Sequence, residues 1–145
     1  MKRLIGIFLY LSISACSAQL LVSIDEMNAS NNAQSPFKAK SVATKDAPVI
    51  ELSAPKLSAA VSSPTPIELK FQPTAPSTVK PETFKVLYGS FEIDITKRIL
   101  NVAKVTETGV FVQEANLPKG KHKLLMVVED NAGRRGNRSI DFEVK

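Results

Sequence analysis

From residue 47 onward, apolar and polar side chains alternate in short runs broken by Pro, Gly and Ser. Ile67, Leu69 and Phe71 alternate with Glu68 and Lys70, which puts the three apolar side chains on one face of an extended segment. Val49 to Leu52 predicts a short first strand between Pro48 and Pro55. Phe84, Val86 and Tyr88 continue the scheme with Lys85 outward, and Gly89-Ser90 reads as a two-residue hairpin connection. Phe91, Ile93 and Ile95 then face inward against Glu92, Asp94 and Thr96. Residues 96–104 fit either a short helix or a ragged strand, and Val110, Phe111 and Val112 form another strand. The strongest signal is 121–129. There His122, Leu124, Met126 and Val128 face one way, and Leu125 and Val127 the other, as expected of a central strand covered on its second side. Ile140, Phe142 and Val144 define the last strand. Seven or eight short strands in about a hundred residues predict an all-β fold, a single antiparallel β-sandwich.

The first 46 residues follow a different pattern. Met1-Lys2-Arg3 is positive, residues 4–11 are almost wholly apolar, and small residues follow. This is the three-part pattern of a secretory signal, and it is too short to span a bilayer, which needs about 20 apolar residues. The run Ile13-Ser14-Ala15-Cys16 resembles the lipobox of bacterial lipoproteins, and Cys16 is the only cysteine. The resemblance implies cleavage after residue 15, acylation of Cys16 and a lasting lipid anchor. Ser17 occupies the place where aspartate favours inner-membrane retention, so the resemblance implies the outer membrane, with the body facing the periplasm; the cell surface is the alternative. Residues 28–46 are low in aliphatics and rich in Asn, Ala, Ser and Lys, so 16–46 reads as a lipidated N-terminus and flexible linker. Such a tether has an r.m.s. span of roughly 30 Å. Residues 47–145 form the folded domain. With a single cysteine no intramolecular disulfide forms, and the domain must rely on its core.

Charge narrows the function little. The net charge is +5, and loss of Lys2 and Arg3 with the leader leaves 17 basic residues against 14 acidic. That excess is modest for a nucleic-acid binder, and export argues against one.

Two stretches carry a further resemblance. Ser63-Pro64-Thr65-Pro66-Ile67-Glu68-Leu69-Lys70-Phe71 leads into Val79-Lys80-Pro81-Glu82-Thr83-Phe84-Lys85-Val86. Leu117-Pro118-Lys119-Gly120-Lys121-His122-Lys123-Leu124 leads to Glu129-Asp130-Asn131-Ala132-Gly133-Arg134. Both resemble bacterial immunoglobulin-like (fibronectin III-like) domains of exported proteins, where the second stretch is the closing hairpin. The resemblance implies an Ig-like sandwich that acts as spacer, adhesive or docking module. In the closing turn Asp130 can accept from backbone amides, and Gly133 can take positive φ.

The candidate chemistry is sparse. His122 is the only histidine, and its position at the start of a strand predicts a structural role, bonding an adjacent loop. Zinc sites need several His or Cys ligands, so no metal, cofactor or catalytic residue is assigned. Glu129, Asp130, Asn131, Asn137 and Asp141 bring oxygen atoms near one end of the sandwich, but their spacing matches no EF-hand loop. The unusual cluster is Arg134, Arg135 and Arg138, with Lys121 toward the same edge, which reads either as a solvated turn that blunts edge pairing or as a docking loop for an anionic partner. The expected protein is a non-catalytic envelope lipoprotein that docks a protein partner. The alternatives are an inert structural spacer and a small-ligand or calcium-binding module.

Overall fold

The period-two alternation becomes eight strands in the computed structural model, which describes residues 20–33 and 44–145. The apolar leader and Cys16 lie outside the described residues. The strands are β1 (Val49–Ala54), β2 (Thr65–Gln72), β3 (Val79–Tyr88), β4 (Ile93–Asp94), β5 (Ala103–Thr106), β6 (Gly109–Ala115), β7 (Gly120–Asp130) and β8 (Arg135–Val144). Two helices accompany them, α1 (Ile24–Asn32) and α2 (Thr96–Leu100). The strands make two four-stranded antiparallel sheets, ordered β1-β2-β6-β5 and β4-β3-β7-β8. This is the all-β sandwich that the alternation predicts.

The inward residues meet between the sheets. Ile50, Leu69, Phe71, Val110 and Val112 from one layer pack with Phe84, Val86, Tyr88, Leu124, Met126 and Val128 from the other. Phe71 and Phe84 face each other across the layers with ring centroids 5.8 Å apart. Burial of each such side chain contributes about 1.5–3 kcal/mol. Along one side, β8 closes on β1. Gly136 lies so near the Pro48 carbonyl that no Cβ fits there, and the Arg138 guanidinium donates to the Ile50 carbonyl at 3.0 Å. Farther along the same strand, the Val61 amide donates to Glu143 O and the Lys145 amide to Val61 O, which occupies part of the β8 edge.

Local expectations along β3, β4 and β7 need correction. The β3–β4 register pairs Tyr88 with Ile93, so residues 89–92 make a four-residue connection. Gly89 and Glu92 both take positive φ there, and Phe91 turns to solvent instead of into the core. The strand also stops early. The Ile95 amide still donates to Val86 O, but the Val86 amide donates to Thr96 Oγ1 and the Asp94 carboxylate accepts from the Thr96 amide, so side chains take over from the ladder where α2 begins. On the outer face of β7, Leu125 and Val127 are half-buried, so the cover expected for this central strand is only partial.

The largest difference concerns the segment read as a flexible linker. Residues 20–33 are docked on the sandwich. Leu20 bridges Asn116 in parallel, and the Leu21 amide donates to Asn116 O at 3.1 Å. Leu21 and Val22 are buried in the main core at 1% and 0% exposure. Ser23 then starts α1 with a reciprocal capping box: its Oγ accepts from the Glu26 amide, while Glu26 accepts from the Ser23 amide. Three buried large apolar side chains, Leu21, Val22 and Met27, offset the ordering entropy of this polar stretch. Residues 20–33 therefore form a strap over one end of the sandwich.

Candidate functional site

Three polar centres emerge from this frame, and each holds the fold. The first lies beneath the strap. His122 is buried between Tyr88 and Phe142 and stacks on the Phe142 ring at 5.4 Å. Its Nε2 lies 2.8 Å from the Pro118 carbonyl, which can only accept, so Nε2 carries the proton. In the neutral ring Nδ1 is then the acceptor for the Tyr88 hydroxyl at 2.9 Å. Burial pushes the His122 pKa down, and the Pro118 bond only partly opposes it. Burial, with the nearby Glu26 charge, pushes the Tyr88 hydroxyl up to about 12. His122 thus ties the 117–119 loop to β3, as its place at the strand start predicts.

The second centre clips the strap to α2. Arg98 donates to both Glu26 carboxylate oxygens, at 2.7 and 2.8 Å, and to Leu21 O at 3.3 Å. The Arg98 bonds, helped by the Ser23 amide, hold the Glu26 carboxyl down at about 2. At the other end of α1, Ser30 Oγ accepts from the Ser90 amide, and Ser90 Oγ donates to Ser30 O. Gly89 and Gly120 lie under the strap because a Cβ would meet Ser30 Oγ at 2.5 Å and Met27 Sδ at 2.7 Å. The capping-box spacing of Ser23 and Glu26 is the one signal of this clip in the sequence.

These groups set a pH dependence. His122 has a folded pKa below 6.5, so its contribution is complete above 6.5 and is lost as pH falls through the folded value. Glu26 contributes fully above 4.5 and loses its share as pH falls toward 2. Tyr88 contributes fully below 10 and loses its share as pH rises toward 12. The melting temperature should therefore decline on both sides of neutrality, and Glu26→Gln should flatten the acid limb between 4.5 and 2. An acid limb unchanged in that variant, measured by melting across pH, would contradict the clip.

The third centre is the β7–β8 turn, where the arginines were expected to form a docking loop. Arg134 is held inward. Its Nε donates to Asp130 Oδ2 at 2.7 Å, and a terminal nitrogen donates to Ser77 Oγ at 2.7 Å. Asp130 is wholly buried, and its Oδ1 accepts from the amides of Ala132 and Arg134, while Gly133 takes φ +75°. Burial alone would raise the Asp130 pKa, but the Arg134 amide and guanidinium and the Ala132 amide outweigh it and hold the carboxyl below its usual range. Arg138 faces the core side of β8 and serves β1. Lys121 does not join the cluster. It pairs with Glu143 at the far end of the ladder that pairs Glu129 with Arg135, about 27 Å away at the usual strand rise. The oxygen-rich residues make no cage either: among the described residues no three His, Cys, Asp or Glu side chains converge.

Arg135 remains outward. It donates two bonds to Glu129 Oε1, yet its side chain is 65% exposed. It ends a cross-strand row of Lys80, Glu129 and Arg135 on the outer face of β3, β7 and β8. The next rows on this face are Lys85–Val127–Asn137 and Leu87–Leu125–Ser139. Half-buried Leu87, Leu125 and Val127 thus sit beside the exposed cations Lys80, Lys85 and Arg135.

Neither protein-family models nor curated protein sequences match this chain. Among solved structures it is similar to CopC from Methylosinus trichosporium OB3b. The identity is 16%, the TM-score is 0.44, and the match covers 66% of this chain and 93% of that chain. That likeness is too distant to carry functional weight. Among the described residues no helix is long and apolar enough to cross a membrane.

Proposed function

We propose that the chain is an exported envelope lipoprotein, acylated at Cys16 and facing the periplasm, whose sandwich is a non-catalytic docking module for a protein partner. The supporting observation is the outer face of β3, β7 and β8. Leu87, Leu125 and Val127 lie there half-buried and only partly covered among the described residues, beside Lys80, Lys85 and Arg135. An apolar patch with a basic margin suits a protein surface whose apolar patch is edged with carboxylates. Arg134 and Arg138 serve the fold, so the docking role moves from the turn to this face.

Crosslinking of the native lipidated protein in intact cells tests the reading. One dominant envelope protein should be captured, and Lys85→Gln with Arg135→Gln should abolish capture with only a small fall in melting temperature, because both side chains are exposed and only the surface Arg135–Glu129 pair is lost. Capture retained by that variant would reject this face. No capture above background would favour a spacer.

A further inference from the structure

We propose that the strap end of the sandwich rests directly on the lipid surface, with Leu20, Ile24, Phe91, Leu100 and Val102 turned toward it. This inference rests on the acylation of Cys16 proposed above. Leu20 is fixed to the sandwich through Asn116, so only four residue steps separate the lipidated position from the folded body. At full extension four residues span about 14 Å. The headgroup layer on each side of a bilayer takes up about 5–8 Å of that reach. The remaining gap is less than the 10–12 Å width of one helix. A leash this short presses one end of the domain against the surface, whereas a free 16–46 linker would let it roam.

The exposed apolar side chains lie at that same end. Seven large hydrophobic residues are exposed among the described residues, and five of them are Leu20, Ile24, Phe91, Leu100 and Val102. The contacts that bring them together are specific: Arg98 of α2 binds Leu21 and Glu26, and Ser90 binds Ser30. Charge is mixed there. Lys97, Lys119 and Lys121 stand against Asp25, Glu92 and Glu114, so the apolar contact and the leash drive the orientation. The closing turn at residues 131–134 lies at the opposite end of β7, about 34 Å away along the strand, and points away from the membrane.

Site-specific labelling of the full lipidated chain tests the orientation. Acylation consumes the only native thiol, so Leu100→Cys and Ala132→Cys each supply a unique one, and both positions are exposed. The labelled proteins are reconstituted in vesicles of phosphatidylethanolamine and phosphatidylglycerol that contain a headgroup-quenching lipid. Quenching several-fold stronger at position 100 than at 132 is the expected result. Equal quenching at the two positions in vesicle-bound protein would overturn the orientation and leave the lipid anchor standing. A Cys16 thiol that itself takes up label, in protein that stays off the vesicles, would overturn the anchor and the orientation together.

Discussion

Leu21→Ala should cost about 2–5 kcal/mol, the range for a large-to-small change in a packed core. That corresponds to a fall of roughly 10 °C or more in the melting temperature of a domain this size. Residue 21 precedes the first strand by many positions, in a stretch whose composition suggests a tether. Yet Leu21 is 1% exposed and belongs to the same core as Tyr88, Ile95 and Ile99. Its removal leaves a cavity under the strap, and the strap has few other apolar anchors with which to collapse into it. Thermal melting of the full chain reads the effect. A melting temperature that barely moves would mean that residues 20–33 do not belong to the folded unit.

Gly136→Ala should also destabilise, by about 2 kcal/mol net. Replacing a glycine restricts the unfolded chain and stabilises by about 0.4–1 kcal/mol where the native site accepts the methyl group. This site does not accept it, because a Cβ on Gly136 would overlap the Pro48 carbonyl oxygen. The obstacle is backbone, so strand β1 must move off β8 at a cost near the upper end of about 1–3 kcal/mol for overpacking. The Arg138 bond to Ile50 O sits on the same seam and weakens with it. Denaturant melts of the variant and the native chain measure the difference. Equal midpoints would contradict the close approach of the two sheets along this side.

The sandwich was legible because a strand with one buried face must alternate. The run from Lys121 to Val128 shows this best, with His122, Leu124, Met126 and Val128 all buried and all on one side. The closing turn was legible for a chemical reason: an aspartate three residues before a glycine can satisfy the turn's amides, and Asp130 does so. Phe91 was misplaced because alternation assumes an unbroken strand, and residue 91 lies within the four-residue connection at 89–92, after which Ile93 and Ile95 face inward as expected. The arginines looked like a loop because 134–138 holds no apolar side chain. The ladder nonetheless begins at Arg135, with Gly136 and Arg138 taking inward positions that are usually apolar. The strap was hidden because α1 buries one large apolar side chain, Met27, and so has almost no amphipathic pattern. Its docking depends on Leu21 and Val22 before the helix and on the Glu26–Arg98 pair, which joins residues far apart in sequence.

The proposed outer-face docking site and the proposed membrane-facing end complement each other. A body held close to the lipid by its strap presents a fixed side to partners, whereas a long tether would present all sides equally. The orientation at the membrane depends on the strap belonging to the sandwich. Amide hydrogen exchange of the full chain tests that most directly, because the Leu21 amide donates to Asn116 O. It should exchange as slowly as core amides such as Val86, through global unfolding alone. Exchange of the Leu21 amide at the rate of an unstructured chain, with the core amides still protected, would contradict the account.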